Sequence, residues 1–368
     1  TFESIQGDPF ASPSRIRVDV SPRKTGLPTW AQSSSSERIA TADFLHRCIR
    51  RKLGGRREAD GSGKSGQIGI LGVGQEILER SAVAVTSGGG VRFLFTVGLP
   101  ASGRRIRGRA AATLLTERIP DAFEEVFEEL DLNELQRHIF CLEDQMALRD
   151  ELERNQLVAF VANTSILARK SGIDDRPLAN AIPFESPSSL EVALETPHRG
   201  VIRGMGIPKG ITLIVGGGYH GKSTLLQALA RGVYNHIPED GRECAVTHPD
   251  TAWIRAEDGR SVRGVDLRPF ITNLPLGRDT ASFETADASG STSQAAGTLE
   301  SLELGAKTLL IDEDIAATNF MIRDGRMRAL IPSESEPITP YLDRVEALSQ
   351  EAGVSSILVV GGAGDYLS

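Results

Sequence analysis

The spacing of apolar residues changes along this chain of 368 residues. In residues 1–120, RIRVDV and VRFLFTVGLP predict strands, because their apolar residues alternate or run together between turn formers. ATADFLHRCIRRKL repeats its apolar residues at helical spacing, and the serine run before it predicts a helix N-cap. We therefore expect residues 1–120 to form a small, basic α+β domain.

The pattern then changes twice more. Acidic residues interleave with apolar ones from 121 to 170, which predicts solvent-facing amphipathic helices, and turn formers in 171–190 predict a linker. From 191 to 368, apolar runs such as ITLIV, TLLID and SSILVV alternate with a helical segment and glycine-rich turns. That alternation is typical of an α/β domain with a mainly parallel sheet. The chain stops soon after the last apolar run, so we expect a C-terminal piece to be missing.

The phosphate-binding candidate is the stretch IVGGGYHGKSTLL, which contains a complete G-x-x-x-x-G-K-S frame between an apolar strand and a helix. The first N–H groups of a helix are unpaired and attract phosphate, and the glycines let the backbone come close to it. Lys222 is expected to reach the β- and γ-phosphates of ATP, and the Ser223 hydroxyl is expected to bind Mg²⁺. The predicted nucleotide contacts are Gly216, Gly217, Gly218, Tyr219, His220, Gly221, Lys222, Ser223 and Thr224.

A second GKS, in GSGKSGQ at residues 61–67, lacks this context. The first glycine of the frame would fall at position 58, which is Glu58, and the preceding RRKLGGRREADG is charged rather than strand-like. We interpret this stretch as a basic surface turn.

Two adjacent acids end the apolar run KTLLIDED at 307–314. Asp312 has the position of a Walker B aspartate, which holds Mg²⁺ through water, and Glu313 is placed to polarise an attacking water. We therefore expect Glu313 and Lys222 to be the catalytic residues. A strand that ends in solvated acids is the alternative interpretation.

Between these motifs, DASGSTSQAA begins a helix just before the Walker B strand. In ATP-binding cassette (ABC) ATPases, a Ser-Gly-rich helix start at this place contacts the γ-phosphate held by the other subunit. Ser289, Gly290 and Ser291 align with that signature, although Thr292 replaces its glutamine and Gln294 follows two residues later.

Together, QGDPFASPSR, GSGKSGQ, GGGYHGKSTLLQAL, RAEDGRSV, ASGSTSQAA and DEDIAATNFMIRD resemble the family described as predicted ATPases of the ABC class. The resemblance extends over nearly the whole chain. It implies an ABC-type P-loop nucleotide-binding domain with an additional family-specific N-terminal domain, and ATP and Mg²⁺ as cofactors. It also implies RNA or DNA binding, and the family includes a kinetoplastid mitochondrial RNA-editing factor.

The chain departs from ordinary ABC ATPases at two positions. No glutamine occurs between Gln227 and Gln294, so the glutamine loop is absent, and Asn273 is our candidate substitute. The histidine expected after the last strand is replaced by Gly361 and Gly362, and His220 is a candidate for part of its role. Either hydrolysis is slow or another group senses the γ-phosphate. AATN, at 316–319, stands where a dimer-contact loop would lie.

Charge points to the partner. Residues 1–120 hold 19 Lys and Arg residues against 10 Asp and Glu residues, whereas the whole chain has a net charge of −8. This asymmetry predicts a polyanion partner, with a solvated basic face as the alternative. Aromatic residues make up only 5% of the chain, so we expect contact with a nucleic-acid backbone rather than with bases. The densest cluster is Arg104, Arg105, Arg107 and Arg109, which with Arg47, Arg50, Arg51 and Lys52 could line one groove.

Three functions remain open at this stage. The first is an ATPase that hydrolyses ATP in a homodimer and couples hydrolysis to RNA or DNA, in the mitochondrion if the RNA-editing resemblance holds and otherwise in the cytoplasm. The second is a nucleic-acid-binding module that ATP clamps with negligible turnover. The third is a subunit with a separate membrane partner, which we disfavour because no apolar run reaches the roughly 18 residues that span a bilayer. Cys48, Cys141 and Cys244 lie far apart and are expected to be reduced thiols.

Overall fold

The structure is a computed structural model that describes residues 1–55, 61–272, 274, 279–323, 330 and 336–361. The chain divides into two compact units, Thr1–Met146 with Asn235–Glu243 and Ala147–Tyr234 with Cys244–Ser368. These bounds differ from the divisions at residues 120 and 190 that the sequence suggested. We call the two parts the first unit and the second unit.

The described residues form strands in two long runs, at 68–106 and 157–215, and strands mixed with helices elsewhere. The strands are β1 (Phe2–Ser4), β2 (Ser14–Val20), β3 (Ile68–Gly69), β4 (Glu76–Ile77), β5 (Val83–Val85), β6 (Val91–Val97), β7 (Ala101–Ser102), β8 (Arg105–Ile106), β9 (Leu157–Ala162), β10 (Arg169–Ser171), β11 (Asp174–Pro177), β12 (Glu191–Thr196), β13 (Gly200–Pro208), β14 (Ile211–Val215), β15 (Asn235–His236), β16 (Ala245–Thr247), β17 (Thr251–Ile254), β18 (Arg260–Val265), β19 (Phe283–Ala288), β20 (Thr308–Asp312) and β21 (Ser355–Val360). The helices are α1 (Pro22–Thr25), α2 (Ser35–Leu53), α3 (Gly108–Thr113), α4 (Ile119–Glu128), α5 (Leu132–Arg154), α6 (Lys222–Arg231), α7 (Gly290–Glu303), α8 (Thr318–Met321) and α9 (Leu342–Gln350).

The first unit is an antiparallel sheet covered by helices. Its strands run in the order β1-β2-β6-β3, and β5 also pairs with β6. Buried and less buried residues alternate along β6, so one face of the strand faces the core, where Phe93 packs edge-on against Phe123 at 4.9 Å between ring centroids. Helix α2 begins with a capping box between Ser34 and Glu37, as the serine run predicted. The small α+β fold expected here is consistent with this arrangement.

The second unit contains two four-stranded sheets. One is parallel, in the order β14-β21-β20-β17, and the other is antiparallel, in the order β12-β13-β9-β16. The parallel sheet is the one the sequence predicted. Strands β20 and β21 are buried along their whole length, which explains their unbroken apolar runs.

Helix α6 packs into a core shared by the two sheets. Leu226 and Leu229 are fully buried and lie in one apolar cluster with Val161 of β9 and with Leu310 and Ile357 of the parallel sheet. Helix α6 thus has apolar contacts with both sheets, and these contacts hold its first turn next to the end of β14. The phosphate-loop candidate therefore stands on a rigid support.

Two expectations for the middle of the chain were wrong. Residues 157–162 were expected to be helical but form β9, the strand that pairs with both β13 and β16. Residues 171–190 were expected to be a linker but include β11, which pairs with β10 within the second unit. A strand buried on both faces shows no alternation of apolar and polar residues, so the run LVAFVA could not be separated from the preceding helix.

Candidate nucleotide site

The four strands of the parallel sheet bring their carboxyl ends to one edge, because they all run in the same direction. The phosphate-loop candidate follows β14, Gly361 follows β21, Asp312 ends β20, and the loop 255–258 follows β17. Ligands of open α/β sheets bind outside the carboxyl ends of the strands. This edge therefore gathers the candidate groups from four separate parts of the sequence.

The loop 216–221 turns sharply between β14 and α6. Gly216 has φ +151° and Gly221 has φ +83°, a range in which a side chain would be strained. Tyr219 adopts φ +61° without being a glycine and is fully exposed. A left-handed conformation costs a non-glycine residue on the order of 1–3 kcal/mol. The strain and the exposure of Tyr219 fit a residue whose side chain is presented to a ligand.

Lys222 folds over the loop that precedes it. Its Nζ donates hydrogen bonds to the carbonyl oxygens of Gly216 and Gly217, at 2.7 and 2.8 Å. The imidazole of His220 lies against Gly217, where an added Cβ would come within 3.3 Å of Cε1. The ammonium group of Lys222 is therefore bound by two carbonyl oxygens of the loop. Phosphate oxygens could take the place of these two acceptors. Gly218 has open space around it, and Ser223 and Thr224 lie half-buried in the first turn of α6.

Two acids end β20 in different environments. Asp312 is 4% exposed and accepts a hydrogen bond from the backbone N–H of Asp314 at 3.2 Å. Glu313 begins the 3₁₀ turn Glu313–Ile315, and its Oε2 accepts a hydrogen bond from the backbone N–H of Gly361 at 2.6 Å. A backbone N–H therefore contacts Glu313 at the place where the sequence lacks the expected histidine.

Magnesium ligands of the kind predicted are available at this edge. Among the described residues, no group of three or more His, Cys, Asp and Glu side chains is placed to hold a metal ion. Mg²⁺ in nucleotide sites keeps several waters and uses only one or two protein oxygens beside the phosphates. The hydroxyl of Ser223 and the carboxylate of Asp312 are oxygen donors of that type. The donor set therefore fits a magnesium ion bound together with a nucleotide.

The predicted signature lies at the start of α7. Ser289 is exposed and caps the helix, and its Oγ accepts a hydrogen bond from the backbone N–H of Thr292. Ser291 is 8% exposed, and its hydroxyl donates to Oδ1 of Asn319 at 2.6 Å. Ser289 and Gly290 thus remain at the surface of the helix start, while Ser291 is turned inward to the segment after the Walker B strand.

Neighbouring loops hold this helix start from two sides. The buried amide of Gln294 accepts a hydrogen bond from the N–H of Ala317 at 2.7 Å, which ties α7 to the AATN segment. The hydroxyl of Ser293 accepts one from the N–H of Glu257 at 2.9 Å, which ties it to the loop after β17. The loop 255–258 belongs to the block RAEDGRSV, which the sequence offered as a family resemblance without a role in the site. Asn273 and Gly362, to which the sequence did assign places at the site, lie outside the described residues.

The arginine cluster belongs to the first unit. β7 and β8 form a short hairpin around Gly103, and α3 begins directly after Arg107. Arg104, Arg105, Arg107 and Arg109 are all exposed, and Nε of Arg104 lies 3.7 Å from Oδ2 of Asp8. A separate cavity is lined by Arg47, Arg50, Arg51 and Lys52. Among its described lining residues there is none of the exposed arginines at 104, 105, 107 and 109, so the structure does not place the two groups in one groove.

The stretch GSGKSGQ is a turn, but it is more deeply built in than the term surface turn suggests. Ser65 is fully buried, and its Oγ accepts a hydrogen bond from the N–H of Ala101 at 3.1 Å. Gly98 packs against the backbone of Lys64 so closely that an added Cβ would overlap the Lys64 carbonyl oxygen. These contacts give the turn a structural role in the first unit, without a strand-to-helix phosphate loop.

No helix in the described ranges is both long and apolar enough to cross a membrane. The described cysteines Cys48, Cys141 and Cys244 are free thiols.

Comparison with known proteins matches both parts of the chain to family models. Residues 131–368 match the ABC-ATPase model, described as a P-loop domain, and residues 1–130 match the model described as the N-terminal part of ATPases of the ABC class. A stretch of 235 residues is 31% identical to an uncharacterized protein of Methanocaldococcus jannaschii and covers 61% of this chain and 51% of that protein. The chain thus spans about half the length of this curated relative.

Proposed function

Because the chain belongs to the family of ABC-class ATPases, we propose that its second unit binds ATP with Mg²⁺ and hydrolyses it. The observation that carries this proposal is the common edge of the parallel sheet, where the glycine loop with Lys222 and the acids Asp312 and Glu313 all follow strands. The loop N–H groups and Lys222 would bind the phosphates. Ser223 and Asp312 would hold Mg²⁺, which neutralises charge that develops on the phosphates. Glu313 would orient and polarise the attacking water.

The test is a steady-state assay of phosphate release by the purified chain. Replacement of Lys222 by alanine removes the cation at the mouth of the loop and is expected to lower turnover by about 100- to 1000-fold, the usual effect of losing one charge-stabilising donor. Lys307→Ala is the matched control, because this exposed lysine stands at the opposite end of β20. Equal turnover in Lys222→Ala and the unmodified chain would overturn the assignment.

A homodimer is part of the same proposal. The exposed start of α7 at Ser289 and Gly290 would contact the γ-phosphate bound by the loop of a second copy. Its N–H groups carry the positive end of the helix dipole and suit an anion. We expect Glu313→Gln to bind ATP without hydrolysing it and to accumulate a dimer in size-exclusion chromatography with ATP. A Glu313→Gln chain that binds ATP and stays monomeric would argue against the dimer.

RNA is the nucleic acid that we propose for the first unit, whose residues 1–120 are basic, with the exposed arginines of the hairpin and of the start of α3 on the RNA backbone. Replacing any of Arg104, Arg105, Arg107 and Arg109 by glutamine should flatten the slope of log K against log salt by roughly 0.7 per lost contact with a single strand. Arg23→Gln is the control, because Arg23 is exposed in α1 away from the hairpin. An unchanged slope in all four variants would remove this site. A role in mitochondrial RNA editing would follow only if RNA binding holds, and the cytoplasm is the alternative location.

The contact of Glu313 supports a second candidate, in which ATP acts as a clamp with negligible turnover. One of its two carboxylate oxygens already accepts a short hydrogen bond from Gly361, which leaves fewer acceptors for a water. Multiple-turnover kinetics with and without RNA separate the two candidates. Turnover stimulated by RNA supports the coupled ATPase, whereas tight ATP binding with a single turnover supports the clamp.

A further inference from the structure

The first unit contains a cavity of about 830 Å³ that the nucleotide site does not use. Its walls come from the second half of α2, the end of α4, the start of α5 and residues 237–239. The volume lies within the range of small-molecule sites, which is roughly 300–1,000 Å³. The cavity is therefore large enough to enclose most of a ligand with one ring system and one charged group.

Two arginines on the wall have no acidic partner among the described residues. Arg50 makes no ion pair there, and its guanidinium lies beside Gly72, where an added Cβ would come within 3.0 Å of Nη1. Arg51 is exposed, and its Nη2 donates only to Sγ of Cys48, at 3.3 Å. Two guanidinium groups that line one cavity without carboxylate partners are candidates to bind a doubly charged anion, because a guanidinium forms bidentate hydrogen bonds with such groups.

The other cations of the lining already have carboxylate partners. Lys52 pairs with Glu125 at 2.5 Å and with Glu129 at 3.4 Å, and Arg137 pairs with Glu134 at 2.8 Å and Glu239 at 3.0 Å. The carboxylate of Asp131 accepts the N–H groups at the start of α5. Lys52 and Arg137 thus each face two carboxylates, and among the described residues of the lining Arg50 and Arg51 are the cations without one.

A buried ion cluster holds the inner wall in place. Asp43 is inaccessible and accepts hydrogen bonds from Arg47 at 2.7 Å and His138 at 3.2 Å, and both of these partners line the cavity. Burial acts to raise the pKa of Asp43, but the hydrogen bond from His138 and the charge of Arg47 outweigh it and hold the pKa below its usual value. Arg47 also donates to the carbonyl oxygens of Gly74 and Glu76. This wall is therefore rigid and preorganised.

The remaining lining is apolar. Five of its apolar side chains are partly buried, which suits the face of a ring rather than a second charged group. They are Phe44, Val73, Leu130, Ile237 and Pro238. A site with two free guanidinium groups beside an apolar wall selects a molecule with a phosphate at one end and a flat ring at the other.

We propose that this cavity binds a nucleoside monophosphate, either free or as the 5′-terminal nucleotide of an RNA, with Arg50 and Arg51 on its phosphate. The site lies wholly within the first unit and does not depend on ATP hydrolysis by the second. The RNA form of the ligand rests on the proposed RNA binding, whereas the free nucleotide does not.

The test is isothermal titration calorimetry on the full chain carrying Lys222→Ala, which weakens the ATP site as a competitor. Adenosine monophosphate is expected to bind at one saturable site, and adenosine is expected to bind about 10- to 100-fold more weakly because it lacks the charged acceptor. Adding Arg50→Gln and Arg51→Gln together should weaken the monophosphate by at least the same factor. Arg23→Gln should leave it unchanged.

Two outcomes would overturn the proposal: adenosine binding as tightly as its monophosphate, or undiminished binding after the two arginines are replaced. Thermal unfolding should not change in the double variant, because neither side chain has an ionic partner to lose in the described structure.

Two oligoribonucleotides identify the source of the ligand, one with a 5′-phosphate and one with a 5′-hydroxyl. Tighter binding of the phosphorylated RNA than of the monophosphate supports the RNA end, and weaker binding supports the free nucleotide. ATP turnover with Lys222 intact should survive both substitutions, so a failure here would leave the proposed ATPase standing.

Discussion

The start of α7 offers a sharp test of the proposed dimeric site, because a single methyl group can be added next to the N–H groups that the phosphate of a second copy would contact. Gly290→Ala adds a Cβ that would come within 3.1 Å of Oδ1 of Asp258, 3.4 Å of Cβ of Ala256 and 3.7 Å of Cβ of Ala317. Only the first contact is tight, and Asp258 is exposed and able to turn away. Alanine also favours a helix over glycine by about 0.5–1 kcal/mol. The net change in the free energy of unfolding should therefore be small.

The effect on activity should be much larger. A phosphate at this helix start would accept charge-assisted hydrogen bonds, each worth about 1.5–3 kcal/mol, and we expect the methyl group to weaken one of them by displacing the helix start from the loop 256–258. Loss of one such bond in the transition state corresponds to a fall in turnover of about 10- to 100-fold. The assay is phosphate release at saturating ATP, with thermal unfolding measured on the same sample.

Gly297→Ala is the matched control in the same helix. Its added Cβ would come within 3.3 Å of Nη1 of Arg260, the far end of a flexible side chain, so the helix should accept it. We expect this variant to keep full turnover. Full turnover in Gly290→Ala would refute the idea that the start of α7 contacts phosphate. An equal loss in both variants would show a general disturbance of α7 instead.

Two further predictions follow from contacts in the two units. Gly361→Pro removes the N–H that binds Glu313 and should change the rate of phosphate release. Gly361→Ala keeps that N–H and should behave as the unmodified chain in the same assay. Identical rates in the two variants would show that this hydrogen bond is irrelevant to catalysis. In the first unit, burial acts to raise the pKa of Asp240, but hydrogen bonds from His236 and Arg242 lower it to about 2. Because the folded-state pKa is depressed, Asp240 stabilises the fold above its unfolded pKa, and this contribution, on the order of 2 kcal/mol, is lost as pH falls from 4 towards 2. Urea unfolding across this range should show the unmodified chain losing its advantage over Asp240→Asn, and a constant difference would contradict the sign.

Much of the candidate nucleotide site could be proposed from the sequence because its residues are local. The glycine loop, Lys222 and Ser223 are contiguous, and the apolar strand before them and the helix after them are contiguous too. The same holds for Asp312 and Glu313 at the end of a buried strand. In each case one short stretch contains both the reactive side chains and the strand or helix that positions them.

The fold was harder to predict where pairing is distant. Strand β9 pairs with segments that follow it by about 40 and 80 residues in the sequence, and its buried run carries no alternation that would distinguish it from a helix. Likewise, residues 235–243 belong to the first unit because β15 pairs with β4. Neither pairing leaves a local signal in the sequence. The division of the chain at residues 120 and 190 was therefore made without knowledge of these pairings.

The same reasoning explains why the partners of the catalytic candidates were missed. Ser291 was expected to face a nucleotide, but Asn319, 28 residues later, takes its hydrogen bond. At the end of β21 the sequence lacks the histidine side chain that ordinary ABC ATPases are expected to carry. The structure fills that place with a backbone N–H, a group that every residue except proline supplies. The strand order β14-β21-β20 brings the backbone N–H of Gly361 to Glu313. A sequence motif is defined by side chains, so it cannot indicate a backbone donor whose position depends on the order of the strands.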